Sequence, residues 1–154
     1  IKPMIRKALK HFSGFKDFEC SLEISPDAAA ANVDKQAFMQ IIQNLLSNAY
    51  KYRKEGSVCR VKIQTRKLGD FLELMVEDDG IGVPESALDK IFDRFYQVRM
   101  DSARKIGGTG LGLYITKELV LLHKGKVAST LGEGTVFTLE LPALPTETAN
   151  EEEE

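Results

Sequence analysis

Ile1, Ile5, Ala8, Leu9 and Phe12 recur at helical spacing, and Ser13-Gly14 ends the pattern, so the chain opens with a short amphipathic helix. The period then changes. Phe18, Cys20, Leu22 and Ile24 alternate with Glu19, Ser21 and Glu23, the two-residue repeat of a strand with one wet face. Beyond Pro26 and an alanine run, Asp34 is placed to cap a long helix. Its apolar positions Phe38, Ile41, Ile42, Leu45, Ala49 and Tyr52 share one side, and the pattern stops near Gly56. Val61, Ile63 and Thr65 alternate with Arg60, Lys62, Gln64 and Arg66, then Leu72, Leu74 and Val76 alternate with Glu73 and Glu77. With Leu68-Gly69-Asp70 between them, the two runs predict an antiparallel hairpin with one buried face.

Pro84 is expected to start a short helix reaching about Phe92, and a long irregular segment runs from there to Gly108. Thr109 to His123 returns to helical spacing, and Lys126 to Leu131 and Thr135 to Leu141 predict a last hairpin about Gly132-Glu133-Gly134. From Pro142 the chain is low in complexity, ends in four glutamates and is expected to be disordered. The economical architecture is α+β: a two-layer sandwich with about three helices on one face of a mixed, mostly antiparallel sheet. Its expected divisions are a linker helix over 1–14, one domain over 15–142 and an acidic tail over 143–154.

Composition narrows the class without naming a partner. At 154 residues and 43% hydrophobic, the chain can bury one core but not two independent ones. A net charge of -2, from 21 Lys+Arg against 23 Asp+Glu, argues against a protein that coats nucleic acid or an anionic membrane. Cys20 and Cys59 have neither the spacing nor the neighbouring histidines of a metal site and read as small half-buried hydrophobes. No apolar run is long enough to cross a bilayer, and the basic stretch at the N-terminus has no signal-peptide core, so the expected location is the cytoplasm.

Three constellations carry chemistry. On the long helix, Asn44, Asn48 and Lys51 sit at i, i+4 and i+7, one polar stripe beside the apolar face. Asparagine is a mediocre helix former, so two a turn apart suit amides offered to a metal-phosphate unit, with Lys51 supplying charge; a solvated polar face is the alternative. Asp78 shares the parity of Leu72, Leu74 and Val76, which turns it inward, where a carboxylate needs a partner. That partner could be the exocyclic amine of adenine, whereas guanine would present a carbonyl oxygen. Gly80 and Gly82, which follow, would let a flat ligand approach the backbone. Finally, four glycines fall in the six positions from Gly107 to Gly112, directly before a helix whose free N–H groups could face phosphate oxygens.

In this order the segments resemble the five nucleotide-binding boxes of the histidine-kinase ATP-binding domain, within the wider gyrase, Hsp90 and MutL ATPase superfamily. Asn44 to Tyr52 stands for the first box and Asp78 to Gly82 for the second. Ile91 to Tyr96, Gly108 to Leu113 and Gly132 to Phe137 stand for the remaining three. The resemblance implies the Bergerat-type fold with a mobile lid, ATP and Mg²⁺ as cofactors, and the activity of a protein histidine kinase. It implies Asn44 as the Mg²⁺ ligand, Asn48, Lys51 and Tyr52 along the nucleotide, and Asp78 at the adenine amine. It further implies Gly80 and Gly82 beside the base, Thr135 supporting it from the sheet, and Phe92 and Phe95 as an apolar latch. Gly108, Thr109, Gly110, Leu111, Gly112 and Leu113 would close over the phosphates.

In ATPases of that superfamily a glutamate one turn before the second asparagine activates water; here the place is Asn44, which favours holding ATP for transfer over hydrolysing it. The arginine that many relatives carry after the Phe-Tyr of the third box is Gln97 here, leaving Arg94 or Arg99 as candidates beside Lys51 for the γ-phosphate. No acceptor is expected within the chain, since His11 precedes Phe12 and His123 precedes Lys124, and neither is followed by an acid. The implied partners are a dimerising phosphoacceptor hairpin outside this chain and, through it, a response regulator. The domain itself is expected to be monomeric and to contact neither nucleic acid nor membrane. The competing function is an ATP-sensing module or an anti-sigma-type switch kinase that phosphorylates serine.

Overall fold

The computed structural model describes residues 1–96, 111–131 and 134–144. Gln97, Arg99, Gly108, Thr109, Gly110 and the acidic tail from residue 145 lie outside the described residues. Three helices, α1 (Lys2–Leu9), α2 (Lys35–Lys51) and α3 (Gly112–Leu122), accompany five strands, β1 (Phe18–Ile24), β2 (Cys59–Leu68), β3 (Phe71–Asp78), β4 (Lys126–Leu131) and β5 (Thr135–Pro142). The strands form one sheet in the order β1-β2-β3-β5-β4. β1 runs parallel to β2, with Phe18 opposite Cys59, and every other pairing is antiparallel.

The two-residue alternation decides which face of the sheet is dry. Val61, Ile63, Leu72, Leu74, Val76, Phe137, Leu139 and Leu141 are buried and meet Phe38, Ile41, Ile42, Leu45 and Leu46 of α2 in one core. Full burial of such a side chain contributes about 1.5–3 kcal/mol, enough to hold α2 to the sheet despite its mediocre helix formers. The other face carries Arg60, Lys62 and Arg66 of β2, ion-paired with Glu19, Glu23 and Glu73 of the adjoining strands. Asp34 caps α2 through Oδ2, which accepts from the Ala37 N–H at 2.9 Å, a contact of the kind worth about 1 kcal/mol.

Two expectations need correction. The first is a matter of packing: in α1 Ile5 and Ala8 are fully buried, and Phe12, in the 3₁₀ turn that follows, is nearly so and stacks against Phe18, so the expected linker helix shares the common core. No helix runs from Pro84 to Phe92. A single 3₁₀ turn covers Glu85–Ala87, followed by separate hydrogen-bonded turns, because the Leu88 carbonyl that a helix would use accepts instead from the Ser129 hydroxyl of β4 at 3.0 Å. Ala87, Ile91 and Phe92 are nevertheless each drawn into the core.

Candidate nucleotide site

A cleft of about 440 Å³, solvent at its mouth included, opens between α2, the end of β3, the start of α3 and β5. Asn48, Tyr52, Asp78, Gly82, Leu113 and Thr135 line it together with Val83, Ile91, Tyr96 and Phe137. The periodicity of α2 places Asn48 and Tyr52 one turn apart, and the parity of β3 turns Asp78 in from the sheet. Six of the expected site residues are thus brought to one cavity. Val83, Ile91, Tyr96 and Phe137 were not named as site residues, although Ile91, Tyr96 and Phe137 fall within the boxes of the resemblance. Val83, Ile91 and Tyr96 sit in an irregular segment with no periodic signal, and Phe137 reads from its strand parity as ordinary core.

Asp78 is 5% exposed at the floor of the cleft. Its Oδ1 accepts from the Gly80 N–H at 2.9 Å and the Thr135 N–H at 3.4 Å, while Oδ2 has no hydrogen-bond partner among the described residues. Burial pushes its proton affinity above the ordinary carboxyl range; the two backbone N–H groups oppose this, and the Asp79 and Glu77 charges reinforce it. One oxygen is therefore anchored, and the other is left for a donor from a ligand.

The structure gives the glycines around Asp78 packing reasons of their own. A Cβ on Gly80 would stand 2.5 Å from the Tyr52 carbonyl oxygen, so the position is glycine to let the loop reach the end of α2, where the Ile81 N–H bonds that same oxygen at 3.0 Å. Gly82 takes φ +76°, a backbone region that costs side-chain-bearing residues. Gly134, known to the sequence only as a turn residue, closes against the Asp78 carboxyl itself.

Asn44 is half-buried on α2 and faces α3, donating from Nδ2 to the Gly112 carbonyl at 3.2 Å and to Thr116 Oγ1 at 3.4 Å. Lys51 is the half-buried last residue of α2. Tyr52 follows it as the cap, its hydroxyl proton held more tightly because of burial. Leu111 and Gly112 lead into α3, which begins without a side-chain cap.

Phe92 is buried edge-on to Phe137, whereas Phe95 is 62% exposed at φ +64°, with the Arg94 guanidinium 5.1 Å from its ring centroid. Phe92 and Phe95 thus face different surroundings, and Phe95 is not among the cleft residues. Arg94 also lies 5.8 Å from the ring centroid of Tyr114 on α3, so the candidate cation is turned toward aromatic faces. His123, at the end of α3, accepts at Nε2 from the Asp34 N–H at 3.1 Å and has Nδ1 2.8 Å from the Leu119 carbonyl. It ties α3 to the start of α2 as a capping residue. Both cysteines are free, and burial raises each thiol to about 11, which makes them inert hydrophobes at neutral pH.

A family model described as Histidine kinase-, DNA gyrase B-, and HSP90-like ATPase matches residues 33–145. The chain is 42% identical over 112 residues to the sensor histidine kinase WalK of Bacillus subtilis (strain 168), covering 71% of this chain and 18% of that protein. It is 36% identical over 135 residues to the sensor protein kinase WalK of Staphylococcus epidermidis, covering 86% and 22%. The chain thus spans about a fifth of the length of these curated relatives. Among solved structures, a mycobacterial sensor histidine kinase, MprB, superposes with a TM-score of 0.79 at 28% identity, over 94% of this chain and 97% of that one. The catalytic domain of the histidine kinase ThkA superposes with a TM-score of 0.78 at 25% identity, over 94% and 95%.

Proposed function

Because this chain belongs to the histidine kinase-, DNA gyrase B- and HSP90-like ATPase family, we propose that it is the catalytic domain of a two-component sensor histidine kinase, holding Mg-ATP in the cleft and donating its γ-phosphoryl group to a histidine on a separate dimerisation domain. The observation that carries the reading is Asp78: a buried carboxyl on the cleft wall with one oxygen anchored by backbone N–H groups and the other without a hydrogen-bond partner among the described residues. Adenine satisfies that oxygen with its amine. Val83, Ile91 and Phe137 supply apolar walls for the base.

The residues fit a magnesium ion that arrives with its nucleotide. Among the described residues no group of three or more His, Cys, Asp or Glu could hold a metal. The Asn44 Oδ1, unpaired among the described residues, suits a hard cation that keeps most of its ligands as water and phosphate. Such an ion, when bound, neutralises charge developing on the phosphates. Asn44 has no basicity with which to activate water, Asn48 and Tyr52 line the cleft, and Lys51, the last residue of α2, directly precedes Tyr52. The domain therefore positions and neutralises, leaving the acceptor to its partner.

Neither histidine of the chain suits the acceptor role. His123 has both ring nitrogens engaged, and His11 precedes an aromatic residue rather than an acid. The partners in this reading are the phosphoacceptor hairpin and, through it, a response regulator. Among the described residues no helix is long and apolar enough to cross a membrane.

Calorimetric titration with ADP tests the site. Chelating Mg²⁺ is expected to weaken binding about tenfold or more, as loss of contacts to a charged group worth about 1.5–3 kcal/mol requires. Metal-independent affinity would refute the role of Asn44. Transfer is tested separately, by incubating the domain with γ-labelled ATP and an isolated helical hairpin bearing the histidine. Acid-labile label on that histidine is expected, and label on serine instead would favour the switch-kinase reading.

A further inference from the structure

We propose that Thr116 is a positioning residue that orients the Asn44 amide so that its oxygen, not its nitrogen, is presented to the magnesium-nucleotide unit; the inference rests on the Mg-ATP reading and deepens it. Thr116 is fully buried in α3, four residues after Gly112, and its hydroxyl donates to the Gly112 carbonyl at 2.9 Å. That proton is therefore committed. What Oγ1 turns toward Asn44, 3.4 Å away, is a lone pair, and the Gly112 carbonyl, 3.2 Å from the same nitrogen, is a second acceptor.

An asparagine amide offers two donors on one end and an acceptor on the other, and it is otherwise free to rotate between them. Here only the NH₂ end satisfies the pair of acceptors on α3. The reversed amide would set Oδ1 against the Gly112 carbonyl oxygen, could gain the Thr116 proton only by breaking that proton's bond to the same carbonyl, and would offer a cation two N–H groups. The hydroxyl thus converts a symmetric-looking side chain into a directed ligand. It also makes one amide the junction between the metal site and the first turn of the helix that follows the glycine-rich segment.

The test compares ADP affinity with Mg²⁺ and with EDTA for the parent domain, Thr116→Val, Thr116→Ala and Thr116→Ser. Valine keeps the shape and removes the oxygen, and alanine is a second hydroxyl-free variant should valine perturb folding. The magnesium-dependent gain in affinity is expected to shrink about tenfold in both hydroxyl-free variants, the worth of one hydrogen bond, with EDTA affinity unchanged. Serine restores the oxygen and is expected to restore the gain. The proposal is overturned if valine and alanine keep the full gain, or if they lose affinity equally with and without metal, as a packing defect would produce. A parent domain that binds ADP without any magnesium-dependent gain overturns the underlying Mg-ATP reading and this inference with it.

Discussion

Asp78→Asn is expected to weaken ADP binding by about thirtyfold or more, the equivalent of about 2 kcal/mol, while the domain remains folded. The substitution keeps an oxygen where Gly80 and Thr135 donate, so the local backbone has no reason to move. It replaces the second oxygen with an NH₂ group, which meets the adenine amine donor to donor. By the same logic the variant should lose its discrimination against GDP, whose carbonyl oxygen now faces a donor. Calorimetry with both nucleotides measures each arm, and ADP affinity equal to that of the parent would remove Asp78 from the site.

The same substitution separates binding from stability. Asp78 holds its proton to a higher pH in the folded domain than in the unfolded chain, chiefly because of burial. Between the ordinary carboxyl range and that raised value, the folded state binds more protons than the unfolded one, so stability falls as pH climbs through this window. Asparagine has no charge to desolvate. The nucleotide-free variant is therefore expected to melt no lower than the parent at acidic pH and higher at neutral pH, even as it loses its ligand. A variant that melts well below the parent at neutral pH would mean that the carboxyl serves the fold and not the ligand.

Gly134→Ala is expected to damage both fold and site. The added methyl would stand 2.5 Å from the Asp78 carbonyl oxygen, 2.6 Å from Asp78 Oδ1 and 2.6 Å from the Gly80 nitrogen. None of these can withdraw easily: two are backbone, and Gly80 is already pressed against the Tyr52 carbonyl on its far side. Overpacking of this kind costs about 1–3 kcal/mol, and relief by shifting Asp78 would spoil the carboxyl's aim. Urea denaturation should report the stability loss, and ADP affinity should fall at least as far as in Asp78→Asn. Gly14→Ala is the control, because no atom lies within 4 Å of the methyl it would add. Parent-like binding in Gly134→Ala would show that the carboxyl tolerates displacement.

How much of the site was legible differs residue by residue. Asp78 was found because strand parity is a local property that survives folding, and Asp34 because a cap acts on the N–H groups three residues ahead. The aromatic character of Phe95 gave no hint of its surroundings: at positive φ it is exposed beside Arg94. For Gly80 the sequence records only that something comes close, and the structure adds the Tyr52 carbonyl as one such neighbour. Thr116 gave no signal at all, since a threonine on a mostly apolar helix looks like any other core position.

The order of periods along the chain, two residues for strands and three to four for helices, already dictated a one-sided sheet under amphipathic helices, since each apolar face had to find cover from water. The same string of residues carried the motifs, the inward acid and the spaced amides, on which the proposed nucleotide site rests. Which separate segments meet was settled only by tertiary packing. The sheet order puts β5 between β3 and β4, bringing Thr135 and Gly134 against Asp78, while α3 lies along α2 so that Gly112 and Thr116 reach Asn44. Periodicity is a short-range property of the backbone, whereas a cleft is a juxtaposition of residues far apart in the chain, and only the competition among apolar faces for one core selects it.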